Sequence, residues 1–347
     1  MNYLSLFSGI GGFELAIQHL IPTANCIGFA EVDKFAVQVY QHHFPTHHNL
    51  GDITQITEET IRKLILKHRG CNLLVAGFPC TNLTSLARQS KYANSDGLDG
   101  PKSGMFWDMI NVIRWINKYN QQFGIDLHFI IENNGSMKNE YKTIITETLS
   151  EETKRELFLT TLNGQQFGVQ KRRRLYWTTF PITGCDNIKC EQTWDDVLQP
   201  LSEVRSNVIS QGYITKGNKL YDKENSTEVV RLYHSSKSGE YQLRTEPMTG
   251  YYTIWQRGFH SDTDKPKSTP VIRGLQFENI LIDRRVKRGV LPRFITGIEA
   301  ERLFFIPDGW VSDLCSKSRT LKLLGNTVIV RVIEFIVLNL LKNVELE

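Results

Sequence analysis

The chain is short of several things that would narrow its class quickly. Its six cysteines include no Cys-x-x-Cys pair, and none has His or Cys partners at zinc-ligand spacing; Cys185 and Cys190 are neighbours without such company. That excludes a structural zinc site or a disulfide framework, and it points to reduced, independent thiols with no metal. No uninterrupted apolar run approaches the roughly 20 residues of a membrane helix, so no membrane partner is expected. The apolar start, MNYLSLFSGIGGFELAIQHL, lacks a basic leader and runs straight into glycines and Glu14, unlike a signal peptide. A cytoplasmic location is the expectation. Internal repeats and low-complexity linkers are missing too. So is a strong excess of one charge: 41 Lys and Arg face 37 Asp and Glu, a formal net charge of +4. Bulk electrostatics therefore announces no polyanionic partner.

What is present is ordinary globular composition, 347 residues with 40% hydrophobic and 22% charged. That is enough for one large domain and a smaller one. Strands are expected at Tyr3 to Phe7, Cys26 to Glu31, Leu73 to Ala76 and His128 to Ile131. Helical spacing lies between them, at Phe13 to Leu20, Lys34 to Tyr40 and Phe106 to Asn117. This alternation predicts an α/β fold, a mostly parallel sheet doubly wound by helices, with ligands at the carboxyl ends of the strands. The first domain is expected over residues 1–181. Residues 182–290 turn rich in Thr, Ser, Gly, Lys and Tyr, with strand-like pieces such as Tyr251 to Trp255, and read as a smaller, irregular, β-containing domain. Residues 291–347 regain helical character, and the apolar Val328 to Leu341 is expected to pack back on the first domain.

Three groups of residues carry chemistry. Phe7-Ser8-Gly9-Ile10-Gly11-Gly12 sits between a strand and a helix, where glycines let a backbone approach a ligand closely. Glu31, ending the second strand, is placed to accept from ribose hydroxyls, and Asp52, in Gly51-Asp52-Ile53, from an adenine amino group. A dinucleotide and an adenosyl cofactor fit this region equally. Cys80 follows a strand and Pro79 and opens a polar loop, Thr81 to Ser103, that holds Arg88, Lys91 and Lys102; loop polarity beside a thiol suggests a lid. Glu132 closes the strand Phe129-Ile130-Ile131, so a nucleophile and a proton donor stand at neighbouring strand ends. Gln170-Lys171-Arg172-Arg173-Arg174 adds guanidiniums suited to a phosphate or a pyrimidine carbonyl, although a basic run is as readily a solvated face.

In this order the motifs resemble those of the DNA cytosine-5 methyltransferases, including the bacterial and phage restriction–modification type. The resemblance runs from Leu4 to about Ile333, with 182–290 as the variable insert. It implies a Rossmann-like methyltransferase domain binding S-adenosyl-L-methionine through Phe7, Ser8, Gly9, Ile10, Gly11, Gly12, Glu31, Val32, Asp52, Ile53, Pro79 and Met105. Asn326 and Val328 of the Gly325-Asn326-Thr327-Val328 turn complete that implied set. The catalytic residues implied are Cys80 as nucleophile, Glu132 of a Glu-Asn pair, and Arg172 and Arg174 of a Gln-x-Arg-x-Arg motif. Double-stranded DNA is the implied partner, contacted by Thr81, Arg88, Lys91, Gln170, Arg257 and Arg273, with 182–290 as target-recognition domain. A nucleoid-associated monomer working beside a separate restriction endonuclease completes the expectation. Glu299, Arg302-Leu303 and Pro307-Asp308 look like the segment that follows that domain.

The chain departs from the pattern at Thr81, where Gln is usual, at Asn134 for Val, and at Phe304-Phe305-Ile306 for Gln-Gly-Phe. The Cys-Phe-Thr motif of the family's tRNA-modifying branch is absent, which tilts the substrate to DNA. Three other readings remain: a catalytically silent DNA-binding homologue, an RNA cytosine-5 methyltransferase, and a nicotinamide-dependent oxidoreductase. The last has no use for Cys80 beside Glu132.

Overall fold

A computed structural model of the chain describes residues 1–79, 83, 98, 100, 104–190, 192–204, 213–214, 218–219, 230–234, 241–245, 254–256, 259–260, 280–283 and 291–344. Two compact units divide it: Met1–Asn163, Arg173–Ile188 and Val328–Glu347 form one, Gly164–Arg172 and Lys189–Thr327 the other.

The first unit alternates strands and helices in chain order: β1 (Asn2–Leu6), α1 (Gly12–Leu20), β2 (Asn25–Ala30), α2 (Lys34–His43), α3 (Glu58–His68), β3 (Leu73–Ala76), α4 (Met105–Asn120), β4 (His128–Asn134), α5 (Asn139–Thr153), β5 (Phe158–Asn163) and β6 (Arg173–Thr178). The strands form one sheet in the order β2-β1-β3-β4-β6-β5. β1 pairs in parallel with β2 and β3, and β3 with β4, while β6 runs antiparallel to both β4 and β5. The central strands are buried on both faces, which is why Leu73–Ala76 and Phe129–Ile131 are unbroken apolar runs. Alternate side chains sort to opposite faces. Leu4, Leu6, Leu74, Ala76, Phe129 and Ile131 share a core with Ile61 and Ile65 of α3, Met109 and Ile113 of α4 and Ile145 of α5. This is a mostly parallel α/β sheet, with one reversed strand.

Local chemistry sets the helix ends. Asp33 caps α2 by accepting from the amides of Phe35 and Ala36. Thr57 caps α3, whose first turn carries Glu58 and Glu59 and whose last turn carries Lys67 and His68, both signs matching the helix dipole. α1 differs: Gly11, in the left-handed region, precedes it and no side chain caps it.

The second unit contains the short helices α6 (Trp194–Val197) and α7 (Leu201–Val204). Its strands are β7 (Tyr213–Ile214), β8 (Asn218–Lys219), β9 (Val230–His234), β10 (Tyr241–Thr245), β11 (Ile254–Gln256), β12 (Phe259–His260), β13 (Ile280–Asp283) and β14 (Leu291–Phe294). They pair as β7-β8, β10-β9 and a four-stranded β12-β11-β13-β14, all antiparallel. The strand-like piece expected from Tyr251 is described only over β11. α8 (Gly297–Leu303) begins in a reciprocal cap: Thr296 accepts from the Glu299 amide and Glu299 from the Thr296 amide. α9 (Lys317–Gly325) follows.

The chain returns to the first unit with α10 (Val330–Asn343), which packs against α1. There Asn339 accepts from the backbone amide and hydroxyl of Thr183, 2.9 and 3.1 Å away. By length and mean hydropathy the run Lys317–Asn343 is apolar enough to cross a membrane. It is divided into α9 and α10, however, and 72% of its apolar window is buried within the protein.

Candidate active site at the carboxyl rim of the sheet

Consecutive strands depart to opposite sides of β1, so a crevice opens at the carboxyl ends of β1 and β3. The turn after β1 lies there. Phe7 and Gly9 hold φ of 55° and 56°, and Gly11 holds 86°. A left-handed phenylalanine carries a cost on the order of 1–3 kcal/mol and belongs where the surroundings enforce it. Gly11 is needed for packing: a Cβ there would lie 2.7 Å from the Phe44 ring.

Glu31 binds this turn to the end of β2. One carboxylate oxygen accepts from the Gly9 amide at 2.8 Å, and the other from the amides of Val32 and Asp33, also at 2.8 Å. Asn49 in turn accepts from the Glu31 and Gly51 amides and donates to the Glu31 carbonyl. Asp52 accepts from the Thr54 amide and hydroxyl. The resulting cleft of about 320 Å³, its open mouth included, is lined by Phe7, Ala30, Glu31, Val32, Gly51, Asp52, Ile53 and Met105. Asp108, one turn into α4, has its carboxyl pushed above the usual range by burial and by the charge of Asp52.

Of the expected cofactor residues, the cleft thus gathers Phe7, Glu31, Val32, Asp52, Ile53 and Met105. Ser8, Ile10, Gly11 and Gly12 are buried beneath the turn, Ser8 bonded to Ser5, and act through backbone shape. Gly9 is half-buried and held by Glu31, and Pro79 is half-buried outside the lining. Asn326 is exposed in the second unit and Val328 buried in the first. Asn49 escaped the sequence reading; its only signal is a polar residue at the bridge beside Phe29.

The lining fits an adenosyl sulfonium better than a dinucleotide. Among the described residues it offers two carboxylates and apolar side chains, and no lysine or arginine. Carboxylates accept from ribose hydroxyls and an adenine amino group and favour a nearby cation, whereas they repel a pyrophosphate brought close to them.

Next along the rim stand the ends of β3 and β4 and the start of β6. Because β6 is antiparallel, Asn134 pairs with Arg174 and Glu132 with Tyr176. Arg174 Nε forms an ion pair with Glu132 Oε1 at 2.8 Å, and both side chains are only 14% exposed. The other Glu132 oxygen faces Gly77, where an added Cβ would lie 3.3 Å from it. Phe78 is buried against Phe106, ring centroids 5.4 Å apart, and Asn133 donates to the Phe78 carbonyl at 3.1 Å.

Cys80, Thr81, Arg88 and Lys91 lie outside the described residues, as do Arg257 and Arg273. Two other thiols, Cys26 and Cys71, are poor nucleophiles, because burial pushes both up to about 12.

The Gln-x-Arg-x-Arg spacing is period-two alternation: Gln170 and Arg172 are buried, Lys171 and Arg173 exposed. Within the second unit, Arg172 Nη2 donates to the carbonyls of Thr327 at 2.6 Å and Gly325 at 3.1 Å, and its guanidinium lies over the Phe304 ring. Its visible work is to hold that turn. Gln170 is 1% exposed and neither amide atom has a described hydrogen-bond partner. The expected contact of Gln170 with a duplex therefore requires its burying neighbours to part. Glu299 accepts from the amides of Thr296 and Gln199, and Arg302 pairs with Asp308, so this segment braces the second unit.

Comparison with known proteins agrees with this architecture. Over 352 residues the chain is 25% identical to the type II methyltransferase M.HhaI of Haemophilus parahaemolyticus, covering 98% of this chain and 94% of that one. It is 28% identical over 178 residues to the type II methyltransferase M.HgiCII of Herpetosiphon aurantiacus, covering 50% and 35%. The structure of the S. pombe Dnmt2 methyltransferase superposes with a TM-score of 0.58 at 17% identity, covering 99% of both chains, and shares the fold. The family model for C-5 cytosine-specific DNA methylase matches residues 1–342, and the chain belongs to that family, the DNA cytosine-5 methyltransferases, with S-adenosyl-L-methionine as the family's methyl donor.

Proposed function

We propose that this chain methylates carbon 5 of a cytosine flipped out of duplex DNA, through a covalent adduct on Cys80. The observation that carries the reading is the Glu132–Arg174 pair at the rim, against the Gly77-Phe78-Pro79 turn that leads into Cys80.

Glu31 is assigned to the ribose hydroxyls of S-adenosyl-L-methionine and Asp52 to its adenine amino group, with Phe7, Val32, Ile53 and Met105 against the apolar surfaces. When bound, the cofactor supplies an electrophilic methyl group on a sulfonium. Carbon 5 of cytosine is a poor nucleophile, so Cys80 adds as thiolate to carbon 6 and moves electron density to carbon 5. Glu132 is assigned to ring nitrogen 3 and the exocyclic amine, where charge develops, and Arg174 to the carbonyl oxygen. After methylation, loss of the carbon 5 proton expels Cys80 and restores the aromatic ring. Stacking blocks both faces of carbon 6 in a duplex, hence the flip, at a cost of a few kcal/mol.

Residues 182–290 are assigned to target recognition, with Arg257 and Arg273 on DNA. Thr81, Arg88 and Lys91 are assigned to the strand beside the flipped base, and contacts to phosphates make binding weaken with salt. The biological role proposed is restriction–modification or protection of phage or host DNA, by a cytoplasmic, nucleoid-associated monomer beside a separate endonuclease. The names of M.HhaI and M.HgiCII, both type II methyltransferases, support that setting.

Transfer of labelled methyl from S-adenosyl-L-methionine to mixed-sequence duplex DNA, followed by bisulfite sequencing, tests the proposal. Methylcytosine at one short motif, lost in Cys80→Ala, is the expected result. Bound cofactor and DNA without transfer would overturn it.

A further inference from the structure

The turn after β3 has a backbone problem that the reaction alone does not explain. The parallel ladder pairs Ala76 with Ile131, and continuing that register sets Gly77 beside Glu132 and Phe78 beside Asn133. The ladder cannot run on, because Pro79 has no N–H. The Phe78 carbonyl sits at a buried residue, 3% exposed, and must find a donor elsewhere.

Asn133 provides one. It is 1% exposed; its Nδ2 donates to the Phe78 carbonyl at 3.1 Å and its Oδ1 accepts from the Asn134 amide at 2.7 Å. A second tie lies downstream, where the Lys138 amide donates to the carbonyl of the fully buried Leu83 at 3.3 Å. The end of β4 and the segment that joins it to α5 therefore hold the chain on both sides of residues 79–82.

We propose that Asn133 is a positioning residue for the nucleophile: it keeps the turn entering Cys80 in register with Glu132. This rests on the assignment of Cys80 as nucleophile. Asn133 directly follows Glu132 in β4, so one side-chain hydrogen bond links the carboxylate's strand to the thiol's turn. Without that bond the turn is free to shift along β4, and a displacement of about 1 Å costs on the order of 10²-fold in rate.

The test compares wild type, Asn133→Asp and Cys80→Ala. The aspartate has the same shape, but as a carboxylate it cannot donate to the Phe78 carbonyl. Two rates are read: methyl transfer, and release of tritium from carbon 5 of cytosine in duplex DNA without cofactor. The second reports the thiol alone: it adds to carbon 6, carbon 5 takes a proton, and elimination of the thiol with loss of tritium restores cytosine.

Asn133→Asp is expected to lower kcat and tritium release together, on the order of 10- to 100-fold, with KM for both substrates within about threefold of wild type. Both rates should recover in part at lower pH, where the new carboxyl group regains an O–H donor. Wild-type rates in Asn133→Asp beside an inactive Cys80→Ala would overturn the positioning role and leave the nucleophile standing. So would a loss in which cofactor KM and thermal stability worsen in step with kcat, the mark of a purely structural role. An active Cys80→Ala would instead overturn the reading beneath it. Should Asn133→Asp fail to fold, Asn133→Ser carries the same measurements.

Discussion

Glu31 and Glu132 are the same residue type at the carboxyl ends of strands in one sheet, but their surroundings divide them. Glu31 receives three backbone amides, from Gly9, Val32 and Asp33, and so knits the end of β2 to the glycine turn. Glu132 is ion-paired through one oxygen with one guanidinium nitrogen, while the other faces the hydrogen-only wall of Gly77. A carboxylate fixed by three backbone donors is rigid, and its remaining acceptor capacity points in a set direction, which suits it to holding a ligand. One tethered on a single side keeps an oxygen for a partner that arrives later. The lesson is that function at a strand end is decided by the donors already present, more than by the acid itself.

That contrast is sharpest in the rate of methyl transfer. Glu132→Gln should lower kcat by on the order of 10² to 10⁴, with cofactor affinity unchanged; a parallel loss of cofactor binding, read by calorimetry, would erase the distinction. Arg174→Lys should follow at about 10²-fold, because an ammonium cannot span the carboxylate and a carbonyl in fixed geometry. Single-turnover rates with saturating cofactor would separate it from a DNA-binding defect. Glu31→Gln should act the other way round, weakening S-adenosyl-L-methionine binding about tenfold, or about 1.4 kcal/mol, with little change in saturated turnover. Gly77→Ala should be mildest, a loss of about threefold in kcat from crowding Glu132 by one methyl group.

A third carboxylate extends the comparison to pH. Glu14 is fully buried in α1, and burial raises its carboxyl to about 7 from 4.5 although Tyr40 donates to it at 3.0 Å. Its folded-state value is raised, so between about 4.5 and 7 the folded protein holds a proton that the unfolded chain has lost. Its contribution is therefore favourable at low pH and declines as pH rises through that window. Glu14→Gln should flatten this part of the stability profile and raise the melting temperature at pH 8 relative to wild type. An unchanged slope in denaturation between pH 5 and 8 would show that Glu14 ionises without penalty.

Much of the first unit was legible before any coordinates. β1, β3 and β4 are apolar runs because both faces of a central parallel strand are buried, and Gly9, Gly11 and Glu31 mark the turn where the chain needs special backbone or an acceptor. β5 and β6 were not legible. Phe158–Asn163 is an edge strand with half-exposed residues, and β6 opens on two arginines of a run that reads as a charged patch. The meeting of Glu132 with Arg174 depends on the antiparallel register of β6, which no motif spacing encodes. Asn133 was visible only as the second half of a residue pair, since the carbonyl it serves lies 55 positions away in the chain. Arg172 shows the opposite limit: its motif suggested chemistry, and its described bonds hold a backbone turn.

The bond between Thr183 and Asn339 has a consequence for how such chains can vary. The sheet is complete once β6 ends at Thr178, and the chain then leaves for Lys189–Thr327 before α10 returns. Thr183, on the outgoing segment, is fastened to Asn339 on the returning helix, so the excursion starts and finishes at a closed mouth. Closing a loop becomes only slowly more costly with length, about 0.6 kcal/mol for each doubling. An excursion fastened at its neck can therefore be lengthened, shortened or exchanged for another sequence at little expense to the sheet.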